Sequence, residues 1–284
     1  MTEFRWGERT LVMGIINVTP DSFSGDGIAP PGRSELAVVA AALEQARRFV
    51  DAGAEILDVG AESSRPAQFY GEREPVDAAA EIALAVPVVA ALARAFAGQA
   101  TVSIDTTKGE VARAALEAGA TMVNDVWAGR RDPATIEAAA EADAHLVLMH
   151  NREVAEYPGG VFDEVLAWLR DAIERALAAG VARERLIVDP GIGFGKTGAH
   201  SLELLHRLAE LKAGLGGLPL LVGTSRKRFI GELLGGDPPE RRLEGTGASV
   251  SLAIAGGADI VRVHDVAAMA RTALVSDAIV RWGR

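Results

Sequence analysis

Several short apolar runs of this chain end on groups that hydrogen-bond strongly: Ser103-Ile-Asp105, Met122-Val-Asn124-Asp125, Leu186-Ile-Val-Asp189 and Val261-Arg262-Val-His264. A carboxylate accepts two donors side by side, an amide offers one acceptor and one donor group, and a guanidinium clamps an oxyanion. Brought to one mouth, Asp105, Asn124 and Asp189 suit a flat heterocycle bearing adjacent N–H donors. Arg65, Arg262, His264 and the cations of Gly223-Thr-Ser225-Arg226-Lys227-Arg228 together make a patch suited to phosphates. A solvated charge run is the plainer reading of residues 226–228, and a helix cap or turn is the plainer reading of any one strand-end Asp or Asn.

A metal cluster competes for the same carboxylates, but the histidines are scattered and no His-x-x-x-His pair occurs. Gly191-Ile-Gly193-Phe194-Gly195-Lys196 looks like a phosphate loop yet lacks the Gly-x-x-x-x-Gly-Lys-Ser/Thr spacing. Its expected role is to let the backbone come close to a ligand.

The elements that must carry these groups alternate along the whole chain. Branched apolar runs ending near Asn17, Asp58, Asp105, Asp125, His150, Asp189, Thr224 and His264 read as strands, each followed by a turn. Segments with helical periodicity separate them: 36–51, 77–97 with Pro87 expected to kink or split it, 109–117, 133–142, 162–179, 201–212, 245–255 and 266–280. Eight strand and helix pairs without a linker-like shift predict a single (β/α)8 barrel domain over residues 1–284, its active site at the C-terminal ends of the strands. A doubly wound open sheet is the alternative architecture.

Composition narrows the partners. A net charge of −10 argues against a nucleic-acid surface, so an anionic ligand must be held by specific cations. Zero cysteines remove disulfides, thiolate metal sites and a cysteine nucleophile. Met1 to Arg9 lacks the apolar core of a signal peptide, and the apolar run from Ile82 to Ala93 is shorter than a membrane span. A soluble, cytoplasmic protein with no membrane partner is expected.

Seven segments, in order along the chain, resemble the dihydropteroate synthase family. They are Gly14-Ile-Ile-Asn-Val-Thr-Pro-Asp-Ser-Phe-Ser24, Asp58-Val-Gly-Ala-Glu-Ser-Ser-Arg-Pro66, Ser103-Ile-Asp-Thr106, Asn124-Asp125, Asp189-Pro-Gly-Ile-Gly-Phe-Gly-Lys196, Ser225-Arg-Lys227 and Arg262-Val-His-Asp-Val266. The resemblance implies condensation of 6-hydroxymethyl-7,8-dihydropterin pyrophosphate with p-aminobenzoate, with Mg²⁺ as cofactor, sensitivity to sulfonamides and a homodimer. It implies that Asp105, Asn124, Asp189, Met149, Phe194, Gly223, Lys227 and Arg262 bind the pterin. Asn17, which would also hold Mg²⁺, would bind the pyrophosphate with Ser64, Arg65, Arg262 and His264. Phe23, Pro66, Ser225 and Lys227 would serve p-aminobenzoate, and Lys227, Arg262 and Asp105 would carry the catalytic roles.

The chain departs from the family after Arg65-Pro66, where Ala67-Gln68 stands in place of the glycine many members have, and at Asn151-Arg152 after Met149-His150. A pterin-binding methyltransferase domain would share the Asn-Asp pair but would not need the pyrophosphate grip. A paralogue that binds pterin without synthase turnover is the other rival.

Overall fold

The computed structural model describes residues 4–19, 34–62 and 76–283. Its strands are β1 (Leu11–Asn17), β2 (Ile56–Gly60), β3 (Thr101–Asp105), β4 (Met122–Asp125), β5 (His145–Met149), β6 (Leu186–Asp189), β7 (Leu221–Val222) and β8 (Ile260–Val263). All ladders are parallel, in the order β6-β5-β4-β3-β2-β1-β8-β7. A bridge from Val188 to Leu220 joins the two ends of that order, closing the sheet into a (β/α)8 barrel.

The helices among the described residues are α1 (Glu35–Asp51), α2 (Ala78–Ala95), α3 (Gly109–Glu117), α4 (Ala134–Glu141), α5 (Val161–Ala178), α6 (Gly198–His206), α7 (Leu208–Gly214), α8 (Arg228–Leu233), α9 (Leu243–Ala255) and α10 (Val266–Val280). Two expectations need correction. Pro87 does not split its helix: α2 runs through it, and Asp77 caps the start by accepting from the Ala80 N–H at 2.7 Å. The helix expected over 201–212 is two helices, broken at Arg207, whose backbone turns to φ −105° and ψ 21° while its guanidinium lies over the Phe162 ring. No glycine or proline marks that break.

By length and composition α2 is apolar enough to cross a membrane. Its contacts are those of a barrel helix: it packs on β2 and β3 and buries Glu81, which accepts from Lys108 at 2.6 Å.

Strand alternation sorts the core into two layers. Met13, Ile56, Met122, Val147, Ile187, Leu221 and Ile260 fill the barrel interior, and Phe4 and Trp6 pack beneath them against His145. The residues between them, including Leu57, Ile104, Val123, Leu146 and Val188, face the helices. Burial holds the His145 imidazole down at about 4, so this lower plug is neutral at ordinary pH. The apolar interior leaves the C-terminal mouth as the place where polar side chains collect.

Candidate active site

The same alternation decides which residue of each polar pair reaches that mouth. A cavity there is lined by Ile15, Asn124, Val126, Met149, Asp189, Phe194, Gly223, Ser225, Lys227, Arg262 and His264. Their immediate neighbours turn outward. Asp125 accepts from Trp127 N–H, Gly129 N–H and Thr135 Oγ1 in the manner of a turn cap. His150 stacks against Trp168 and Tyr157, and Thr224 meets Ser249 at 2.9 Å. The expected ring of eight polar strand ends is therefore corrected: Asp125, His150 and Thr224 serve the helix layer.

Asp189 ends β6 in a tight turn, with Oδ1 accepting from the Gly191 N–H at 2.7 Å. Burial pushes its carboxyl up, opposed by Lys227, the Gly191 N–H, Lys196 and Arg262. The glycines after it were expected to admit a ligand, and what they admit first is neighbouring backbone. A Cβ on Gly191 would run into the His150 carbonyl oxygen, and one on Gly195 into that of Arg152. Lys196 closes the loop from behind: fully buried, it donates to the Phe194 carbonyl at 3.0 Å and lies 2.8 Å from His150 Nδ1. Burial and the charges of Lys196 and Arg152 hold His150 down at about 2, so its ring is neutral.

Gly191→Ala should therefore be costly. Its φ of +67° alone strains an alanine by about 1–2 kcal/mol, before the collision with His150 is counted. A drop in thermal midpoint together with weakened ligand binding is expected; an unchanged unfolding curve would mean the loop relaxes freely.

Across the cavity floor Arg262 joins two carboxylates. Its Nε donates to Asp58 Oδ2 at 2.6 Å and its Nη2 to Asp105 Oδ2 at 2.7 Å, while Asn124 Nδ2 donates to the same Asp58 oxygen at 3.1 Å. Burial lifts the Asp105 carboxyl to about 8; Arg262 opposes this, and Asp58, Glu81 and Asp125 add to it. Asp105 is not among the residues lining the cavity, and its contact with that lining is the bond from Arg262.

The β7 and β8 loops are tied together. Ser225 Oγ accepts from the His264 N–H at 3.2 Å and lies 3.0 Å from its Nδ1. Arg226, in the left-handed region at φ 58°, pairs with Asp265 through two bonds of 2.9 and 2.7 Å. Arg228 pairs with Glu232 on α8. Of the three consecutive cations, only Lys227 lines the cavity, so among the described residues the expected cationic cluster is one lysine plus Arg262 and His264. Lys227 donates to the Ile192 carbonyl and lies 4.7 Å from the Phe194 ring centre. Burial and Arg262 bring its ammonium down to about 8 against the pull of Asp189.

Ser64, Arg65, Pro66 and Phe23 lie outside the described residues. Asn17 ends β1, half-buried, and is not part of the cavity wall. No group of three or more His, Asp or Glu suited to a metal occurs among the described residues. An amide oxygen such as that of Asn17 fits Mg²⁺ only where phosphate oxygens and water supply most of the coordination. Ile15 and Val126 line the cavity and Asp58 bonds Arg262, yet none was assigned a site role; Ile15 and Asp58 have the inward parity of their strands, and Val126, just past β4, continues its parity.

A barrel with a donor-hungry floor and cations at its rim defines a class that holds a polar heterocycle carrying an anionic group. The family model described as pterin binding enzyme matches residues 13–264. The chain is 44% identical to dihydropteroate synthase of Synechocystis sp., over 99% of this chain and 93% of that protein. Among solved structures, the dihydropteroate synthase of Clostridium difficile in the presence of pteroic acid has a TM-score of 0.89 and 41% identity, covering 98% of this chain and 100% of that one. That of Xanthomonas albilineans with 4-aminobenzoic acid has a TM-score of 0.85 and 41% identity, covering 95% and 93%. The chain belongs to the pterin binding enzyme family, within it to the dihydropteroate synthases.

Proposed function

We infer that this chain condenses 6-hydroxymethyl-7,8-dihydropterin pyrophosphate with p-aminobenzoate to give 7,8-dihydropteroate and pyrophosphate. The observation that carries the reading is the cavity itself: acceptors from Asn124 and Asp189 on one wall, and Lys227, Arg262 and His264 beside them. Asp189 takes the ring N–H and amino donors, Met149 and Phe194 cover the ring faces, and Gly223 leaves room beside Lys227. Arg262 and His264 hold the pyrophosphate, with Ser64 and Arg65 completing the grip.

Mg²⁺ held by Asn17 and phosphate oxygens would help neutralise the leaving group. The C–O bond to pyrophosphate breaks with its electron pair leaving on oxygen, the pterin ring spreads the positive charge left on the methylene, and the arylamine nitrogen forms the new C–N bond and loses a proton. Ser225 receives the aminobenzoate carboxylate through its hydroxyl, and Phe23 and Pro66 are assigned to the same substrate by the family resemblance. The pyrophosphate grip favours this reaction over methyl transfer. Incubation with both substrates and Mg²⁺ tests it: dihydropteroate and pyrophosphate should appear in equal amounts, and pterin binding without pyrophosphate release would identify a non-turning paralogue. Inhibition by sulfonamides is expected from the same pocket.

Lys227 gives this reading a pH dependence. Its ammonium is charged in the free protein below about 8 and neutral above, so kcat/KM should fall as pH rises through 8. Lys227→Arg keeps the charge and should remove that limb, leaving only whatever Asp105 contributes near the same pH. Lys227→Ala should depress turnover far more than Arg47→Ala on the exposed face of α1. Lys212 is unsuitable as the control, because it bonds the buried Asp259 at 2.6 Å. A limb of unchanged midpoint and depth in Lys227→Arg would return Lys227 to a bystander.

A homodimer belongs to the same proposal. An open groove between α9 and α10 is lined by Leu252, Ala267, Ala268, Val275, Ile279 and Val280, and Leu274 and Ile279 are 72% and 71% exposed. An apolar face of this kind suits a two-fold interface with a second copy. Light scattering should give twice the chain mass; the mass of one chain at micromolar concentration would exclude it. Cytoplasmic residence, supported by the cysteine-free sequence, completes the proposal.

A further inference from the structure

Asp58 has no role in the reaction as derived so far, yet it is wholly buried in the middle of β2, below the cavity floor. A carboxylate is not placed there without consequence, because burying it is costly unless it is paired and hydrogen-bonded. Both of its contacts lead to the cavity wall. Oδ2 accepts from Asn124 Nδ2 and from Arg262 Nε, whereas Oδ1 has no partner among the described residues. Ser103, its register partner on β3, likewise has a buried hydroxyl without a partner. The hydrogen bonds that Asp58 makes among the described residues thus run to Asn124 and Arg262.

The direction of the Asn124 bond has a chemical consequence. A carboxylate paired with a guanidinium presents only acceptors, so the group of Asn124 that faces it must be the NH₂. Asn124 lines the cavity, and with Nδ2 committed below, Oδ1 is the atom left for a ligand. An asparagine free to flip would offer the cavity a donor as readily as an acceptor. We propose that Asp58 is a positioning residue that sets the acceptor character of the pterin pocket, locking Asn124 with Oδ1 toward the ligand while holding Arg262 by its Nε.

The proposal rests on the pterin reading of the cavity, and the two can fail separately. If the wild-type chain does not bind 6-hydroxymethyl-7,8-dihydropterin in a calorimeter, the pterin reading falls. If it does, two substitutions of Asp58 decide the rest. Asp58→Asn keeps an acceptor where Oδ2 stands and turns its NH₂ to the unpartnered side, so pterin affinity should stay within about 5-fold of wild type. Asp58→Leu, similar in size, removes the acceptor and should weaken pterin binding by about 30-fold or more.

A merely structural role would lower stability without respecting this distinction, so a double-mutant cycle supplies the second readout. In an Asn124→Ala background, Asp58→Leu should cost pterin affinity no more than about 3-fold, because the amide it orients is gone. Equal losses in Asp58→Asn and Asp58→Leu would overturn the proposal, as would a full loss from Asp58→Leu in the Asn124→Ala background. Should Asp58→Leu fail to fold, Asp58→Ala, which also lacks the acceptor, takes its place against Asp58→Asn with the same two outcomes.

Discussion

Asp189→Asn is expected to weaken pterin binding by about 2–4 kcal/mol, roughly 30- to 1,000-fold. The Gly191 N–H, 2.7 Å from Oδ1, fixes which way the new amide must sit. Its carbonyl takes the Gly191 bond, and its NH₂ is left facing the cavity, donor against the donors of the pterin edge. The loss of charge acts in the same direction, because Asp189 is what raises the Lys227 ammonium against burial and Arg262. Lys227 in this variant should titrate below 8, and kcat/KM should decline from a lower pH than in the wild type. Calorimetry with 6-hydroxymethyl-7,8-dihydropterin measures the first effect and a pH series the second. Unchanged affinity would remove Asp189 from the pterin edge.

Much of this site could be read from residue order alone, since a strand that ends in Asp or Asn before a turn places that side chain at a barrel mouth. What order alone does not supply is parity. In Asn124-Asp125, in Met149-His150 and in Gly223-Thr224-Ser225, adjacent residues are equally eligible, and the one that enters the cavity is decided by strand register. Asp58 illustrates the same gap from the other side. Sequence places it at a strand end, whereas the register puts it three residues into β2, under the floor instead of on it.

Charge runs were misread for a different reason. Arg226, Lys227 and Arg228 are consecutive, but a left-handed residue followed by the start of α8 sends the three side chains to Asp265, the cavity and Glu232 in turn. Pro87 and Arg207 show the limits of local signals for helices. Packing on β2 and β3 carries α2 through its proline, while Arg207 breaks a helix with no proline or glycine to announce it.

Arg262→Met is expected to cost the fold about 3–5 kcal/mol, because it leaves the buried carboxylates of Asp58 and Asp105 without their shared cation. The cost should depend on pH with a definite sign. The Asp105 carboxyl already stands near 8 in the folded protein against an ordinary value of 3.8, and Arg262 is the charge that lowers it, so its removal lifts the folded value further. A group whose folded value is raised binds its proton more tightly in the native state, and the native state gains stability as pH falls through that value toward 3.8. The deficit of Arg262→Met relative to wild type should therefore be largest near pH 9 and shrink as pH falls to about 8, below which Asp105 holds its proton in both proteins and the deficit levels off. Arg262→Lys keeps the charge but cannot reach both carboxylates as a fork, and should fall between the two. Turnover should drop about 100-fold or more in Arg262→Met even at the pH where the variant is well folded, since the proposed pyrophosphate grip is lost as well. Denaturant unfolding from pH 5 to pH 9 measures the first effect: a deficit that stays constant over that range would mean that Asp105 does not exchange its proton with the fold, and that the Asp58–Arg262–Asp105 chain is held by geometry rather than by charge.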